Sequence, residues 1–168
     1  VTVSSGMHQF GWMNWDDLQW ERRYNKWKAY GQSKIANLLF TYALHRRLEK
    51  AGLDVKALAA HPGYSSTHLQ TAGPELAGSG FRTSLWKTIN KAAQTAAMGA
   101  LPTLYAAVVD GLEGGTYYGP DGLGEMRGYP RKVGSNRRSR NVDDQERLWT
   151  ISEDLPGVRY EFDASQAA

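Results

Sequence analysis

The feature that most limits what this chain can fold into is the order of its apolar patterns: a strand-like run is followed by a helix-like run, three times over. Val1 to Val3 reads as a buried strand ending in Ser4-Ser5-Gly6, and a long aromatic-rich stretch follows from Met7 to Trp27. From Tyr30 to Lys50 the apolar residues Ile35, Leu38, Leu39, Tyr42 and Leu48 recur at helical spacing. Arg46, Arg47 and Lys50 fall in the last turns with Gly52 just beyond, as a helix C-terminus prefers. Leu53 to Ala60 alternates Leu53, Val55, Ala57 and Ala59 against Asp54 and Lys56 and meets His61-Pro62-Gly63, which reads as a strand closed by a tight loop. Ser84 to Val109 is helical in pattern, broken or kinked near Gly99 and Pro102. Gly114 to Gly119 is a short strand, and Asn141 caps a last helix through Leu155 with Asp143 and Asp144 in its first turn. This alternation predicts an α/β domain in which helices cover a parallel sheet.

Composition narrows the function classes. At 168 residues the chain is one domain's length, enough to bury about 70% of its unfolded surface without covalent staples. It has no cysteine, which excludes disulfide scaffolds, thiolate metal sites and thiol nucleophiles and suits a reducing compartment. With 41% hydrophobic residues against 22% charged, a packed core is expected. A net charge of +3 selects no partner. The uncharged run Ala92 to Val109 is mostly alanine and contains Gln94, Thr95, Pro102 and Thr103, so it reads as a buried helix and not a membrane span. With no transmembrane segment and no signal or transit pattern, a cytoplasmic location is expected.

The residues that carry chemistry are few. Tyr30 and Lys34 are four apart at a helix start, so both side chains project from one face. A phenol is a poor acid or base at neutral pH. An ammonium about 5.5 Å away at an effective dielectric of about 20 favours the phenolate by roughly 3 kcal/mol, enough to make such a group useful for proton transfer. Ser5 sits where a parallel strand ends, at the sheet edge where doubly wound folds place their ligands, and the loop His61-Pro62-Gly63 ends at the same edge. A hydroxyl, an activated phenol and a glycine turn that admits a ligand to the backbone thus converge on one crevice.

These residues resemble the short-chain dehydrogenase/reductase family. Its Tyr-x-x-x-Lys signature is matched within Ala29-Tyr30-Gly31-Gln32-Ser33-Lys34-Ile35-Ala36-Asn37, Val3-Ser4-Ser5 looks like the segment bearing its catalytic serine, and Pro62-Gly63-Tyr64-Ser65-Ser66-Thr67 is similar to its Pro-Gly-x-x-x-Thr loop. The spacer between Ser5 and Tyr30, His61 before the loop, and Arg147-Leu148-Trp149 look most like the retinol-dehydrogenase-like branch. The resemblance implies a Rossmann-like, doubly wound, three-layer αβα fold of which residues 1–168 form a single partial domain, the second half. It also implies catalytic roles for Ser5, Tyr30 and Lys34, and cofactor contacts from Tyr30, Lys34, Pro62, Gly63, Ser65 and Thr67. The cofactor is NADP or NAD, with NADP slightly favoured by the resemblance, and Met7 and Tyr64 are the candidates for substrate contact. Residues 71–84 resemble the family's substrate-covering loop, and 141–155 form the C-terminal helix.

Other readings of these residues compete. The aromatics Phe10, Trp12, Trp15, Trp20, Tyr24 and Trp27 either line an apolar pocket or pack the spacer onto the sheet. Arg127, Arg131, Lys132, Arg137, Arg138 and Arg140 lack an interleaved aromatic platform, so they read as solvated surface or a homo-oligomer contact and not as a nucleic-acid site. His61 and His68 are too isolated for a metal site. Ser84-x-x-Lys87 matches the opening motif of some serine acyl-transfer enzymes without their Lys-Thr-Gly. The expected function is interconversion of a small apolar alcohol and its carbonyl. The alternative is a truncated or degenerate non-catalytic relative acting through protein contacts.

Overall fold

A computed structural model of the chain describes residues 1–65 and 93–162. The described elements are β1 (Thr2–Val3), a 3-10 turn (Gly6–Phe10), α1 (Lys26–Lys50), β2 (Ala59–Ala60), α2 (Ala96–Val108), β3 (Tyr117–Pro120), a second 3-10 turn (Leu123–Glu125), β4 (Pro130–Val133), a third (Arg137–Arg140) and α3 (Val142–Asp154). The strands lie in the order β1-β2-β3-β4. The first three are parallel, with Thr2 opposite Ala59 and Ala59 opposite Tyr117, while β4 returns antiparallel along β3 with Tyr117 opposite Val133.

Side chains alternate across a strand, and the helices use that alternation. Ala59 and Tyr117 point to one face, where Leu38 and Tyr42 of α1 and Val133 of β4 join them in a buried cluster. Their neighbours Ala60 and Tyr118 point to the other face, where Ala106 of α2 packs on them together with Leu58. The two helices therefore cover opposite faces, and the domain is a three-layer α/β sandwich as expected. α3 adds a further element outside α1, closing Leu148 over Ile35 and Leu39. Glu146 of α3 also spans Arg46, at 2.6 Å, and Arg47. These charges are partly exposed to solvent, so the apolar seam holds α3 in place more than the ion pairs do.

Four details differ from the sequence expectation. The sheet has a fourth, antiparallel strand within the basic stretch read as plain surface: Pro130, Arg131 and Lys132 form a strand at the sheet's edge, where proline and charged residues are tolerated because one side needs no ladder partner. The second strand is far shorter than Leu53 to Ala60, because its neighbours pair with it only from about Ala57 onward. α1 begins at Lys26, one turn before Tyr30, because the Asn25 side chain accepts from the Trp27 and Lys28 amides. α2 runs on through Gly99 and Pro102, and it is half-buried, with Gly99, Pro102 and Ala106 inward but Leu104 and Val108 exposed. The part of that predicted helix from Ser84 to residue 92 lies outside the described residues. No helix among the described residues is long and apolar enough to cross a membrane.

Candidate active site

The site is built where β1 and β2 end. At the end of β1 the serine doublet divides its work. Ser4 is buried, and its hydroxyl donates to the Lys34 carbonyl at 2.8 Å, while Asn37 donates from Nδ2 to the Val3 carbonyl at 2.9 Å. These two bonds pin the first half of α1 to the strand end. Ser5 is half-buried at the edge, where it caps the first 3-10 turn by accepting from the Met7 amide at 3.2 Å. Gly11, which closes that turn, packs backbone to backbone against Gly31, and the Met7 carbonyl faces Gly31 as well. The segment carrying Ser5 and Met7 thus lies against the turn of α1 that carries Tyr30.

Tyr30 is 37% exposed, and the Lys34 ammonium stands over its ring, 5.3 Å from the centroid. Among the described residues neither the Tyr30 hydroxyl nor the Lys34 ammonium is engaged in a hydrogen bond or ion pair. A phenol and a cation held together, with their polar groups uncommitted among the described residues, form a donor set suited to a polar ligand.

The Pro62–Ser65 loop follows β2, the strand next to β1. Gly63 has φ +66°, and a Cβ there would lie 2.5 Å from the Met126 carbonyl, so this position requires glycine. The loop is tied down on several sides. The Tyr64 amide donates to the Met126 carbonyl at 2.6 Å, and Ser65 Oγ to the Pro62 carbonyl at 2.9 Å. Gln94 Nε2 donates to the same Pro62 carbonyl at 2.6 Å. The structure therefore brings Ser5, Met7, Tyr30 and Lys34 together and places Pro62, Gly63, Tyr64 and Ser65 at the end of the adjacent strand. Thr67, residues 71–84 with Ser84, Lys87 and His68 lie outside the described residues.

Beneath these residues lies a polar layer of which only His61 carries a signal in the sequence. His8 and His61 are fully buried and flank the Tyr117 ring at 5.4 and 5.1 Å. His61 Nδ1 accepts the Gly63 amide at 3.2 Å, so Nε2 carries the proton and donates to Glu125 Oε2 at 3.1 Å. His8 takes the other tautomer, with Nδ1 donating to the Ser5 carbonyl at 2.7 Å and Nε2 accepting the Asn136 amide at 3.3 Å. Burial keeps both rings neutral, holding His8 below its ordinary range and bringing His61 down to about 4, with His8 nearby adding to the effect on His61. Burial likewise pushes the Tyr117 phenol above its usual value, and among the described residues its oxygen meets no hydrogen-bond partner within bonding geometry. A histidine beside Pro62-Gly63 was the available signal for this layer. Gln94 had none, because its partners are distant in sequence.

The aromatic spacer divides between its two readings. Trp15 and Met13 pack on the Ile35 cluster, Trp15 Nε1 donates to Asp144 and Trp20 Nε1 to Gln32, whereas Phe10, Trp12, Tyr24 and Trp27 remain exposed. Arg137, Arg138 and Arg140 line an open cleft of about 460 Å³ with Asn141 and Asp144, and none of the site residues above lines it.

No family model matches the chain. Individual proteins do. It is 35% identical to human retinol dehydrogenase 12 over 163 residues, which is 96% of this chain and 46% of that protein. It is 36% identical to mouse retinol dehydrogenase 13 over 168 residues, 94% of this chain and 45% of that protein. The chain thus spans about half the length of the curated relatives it matches. Among solved structures, an uncharacterised protein from Mycobacterium paratuberculosis superposes with a TM-score of 0.71 at 39% identity, covering 95% of this chain and 50% of that one. Over nearly its whole length the chain is thus similar to retinol dehydrogenases, which are proteins of the short-chain dehydrogenase/reductase family.

Proposed function

We propose that the chain carries the catalytic centre of an NAD(P)-dependent oxidoreductase that interconverts an apolar alcohol and its aldehyde or ketone. The observation that carries this reading is the pairing of Tyr30 with Lys34 beyond the end of β1, with both polar groups uncommitted among the described residues. A nicotinamide cofactor, when bound, supplies or accepts the hydride. Tyr30 gives its hydroxyl proton to the carbonyl oxygen in reduction and takes it back in oxidation. Ser5, at the end of β1, donates to the same oxygen and holds it in place. The Lys34 ammonium, standing over the Tyr30 ring, is positioned to bind the nicotinamide ribose. The Pro62–Ser65 loop and Thr67 hold the nicotinamide end, while Met7 and Tyr64 contact the substrate.

Resemblance to the family leans toward NADP over NAD. The retinol dehydrogenase relatives support a small, apolar, retinoid-like alcohol as the substrate class, and the absence of cysteine supports the cytoplasm as the compartment. Fluorescence titration of the intact protein with NADPH and NADH, followed by turnover of an apolar aldehyde, tests the reading. Micromolar or tighter binding with turnover is expected. A protein that binds neither dinucleotide contradicts the reading and favours a relative that acts through protein contacts.

A further inference from the structure

The second 3-10 turn, Leu123–Glu125, has a backbone that its sequence does not favour. Gly124 has φ +63° and Glu125 φ +56°, and the left-handed region is costly for a glutamate. Strain of this kind persists where surrounding contacts hold it, and here two of those contacts, at Glu125 and Met126, lead to one loop. Glu125 Oε2 accepts from His61 Nε2 at 3.1 Å, with His61 1% exposed and Glu125 28% exposed. The other nitrogen of the same ring accepts the Gly63 amide at 3.2 Å. One residue further on, the Met126 carbonyl accepts the Tyr64 amide at 2.6 Å. Gly119 leaves room for the imidazole, since a Cβ there would stand 2.0 Å from His61 Nε2.

The imidazole therefore works as a two-ended spacer. Its Nε2–H must point at an acceptor for Nδ1 to remain an acceptor for Gly63, and Glu125 is that acceptor. If the carboxylate is lost, Nε2 has a buried donor without a partner. The ring can then turn, or move its proton to Nδ1, and in either case the Gly63 amide loses its partner and the loop loosens. We propose that Glu125 is a positioning residue that holds the Pro62–Tyr64 loop in its cofactor-binding shape through the neutral imidazole of His61. This rests on the reading of that loop as the cofactor's nicotinamide-end contact.

The unusual φ supplies a discriminating variant. Glu125→Gly relieves the backbone strain while deleting the carboxylate, and Glu125→Gln keeps an acceptor oxygen without the charge. The test measures NADPH affinity by fluorescence, the kcat and cofactor KM, and the thermal midpoint, in the intact protein and these two variants. The expected result for Glu125→Gly is a cofactor Kd and KM raised about tenfold, the loss of one hydrogen bond to a charged group, with kcat at saturating cofactor within about twofold and a thermal midpoint within about 4 °C of wild type, because relief of the left-handed glutamate offsets the lost bond. Glu125→Gln is expected to bind within about twofold of wild type. Wild-type affinity in Glu125→Gly overturns the proposal, as does Glu125→Gln binding as weakly as Glu125→Gly, or an affinity that falls only in step with the thermal midpoint. If the unsubstituted protein itself binds no dinucleotide, the reading of the loop falls first and the proposal with it.

Discussion

The contact between Gly11 and Gly31 allows a substitution whose effect on the active site can be worked out from distances. Gly11 ends the 3-10 turn that carries Ser5 and Met7, and Gly31 directly follows Tyr30. A Cβ on Gly11 would stand 2.3 Å from the Gly31 carbonyl oxygen and 2.9 Å from its carbon, where 3.0 Å is about the closest approach that real Cβ atoms make. Both obstacles are backbone, so no side chain can rotate away, and Gly11→Ala forces the turn off α1 by about 0.7 Å. Overpacking of this kind costs about 1–3 kcal/mol of stability. Because the moving segment holds Ser5 and its neighbour holds Tyr30, a displacement approaching 1 Å lowers turnover by up to about 10²-fold. Gly6→Ala, at the start of the same turn, meets nothing within 4 Å and provides the control. Its expected stability change is within about 0.5 kcal/mol. Gly31→Ala, with 3.3 Å to the Gly11 Cα, should fall between the two. Urea unfolding midpoints and kcat for the three variants check the series. Equal midpoints and equal kcat for Gly11→Ala and Gly6→Ala would refute the claim that this backbone contact sets the spacing of Ser5 and Tyr30.

Two further predictions concern the buried polar layer. His61 is held neutral down to about 4 in the fold, whereas the unfolded chain takes up its proton near 6.5. The unfolded state therefore binds more protons between these values, so stability falls as pH drops from about 6.5 toward 4, by up to roughly 3 kcal/mol from this ring, with His8 acting in the same direction. Urea midpoints across pH 4 to 7 should show the slope in the wild type and a shallower one in His61→Gln, and a flat wild-type profile contradicts the buried neutral assignment. Tyr117→Phe removes a buried oxygen that has no hydrogen-bond partner among the described residues, so it should leave stability unchanged or raise it by about 1 kcal/mol, as read from the same midpoints. A loss of more than about 1 kcal/mol would show that the hydroxyl is satisfied after all.

Much of this architecture was legible because it rests on local patterns. The Ile35, Leu38, Leu39, Tyr42 and Leu48 spacing marks α1, and the Asn141 cap with Asp143 and Asp144 behind it marks the start of α3, where the Asn141 side chain accepts the Asp144 amide. The clustering of Ser5 and Tyr30-x-x-x-Lys34 at the β1 end follows from the parallel strand order, which a strand-helix-strand alternation nearly dictates. What stayed hidden depends on partners far away in the chain. β4 is a strand because Val133, Lys132 and Arg131 meet Tyr117, Tyr118 and Gly119, and nothing in Pro130-Arg131-Lys132-Val133 announces that pairing. The division of labour between Ser4 and Ser5 requires knowing that Lys34 presents its carbonyl to the strand end. Likewise, the strain at Glu125 and its link to Gly63 through His61 join residues more than 60 positions apart.

The central claim is that Tyr30 moves the proton. Its most direct test is turnover of an apolar aldehyde by Tyr30→Phe, in the intact protein with saturating NADPH whose binding to the variant has been confirmed by fluorescence. The phenyl ring keeps the contact with the Lys34 ammonium and loses the hydroxyl alone. The account predicts that kcat falls by about 10²- to 10⁴-fold, the range that a positioned general acid contributes, while NADPH still binds. A variant that binds NADPH and turns over at the wild-type rate would contradict it.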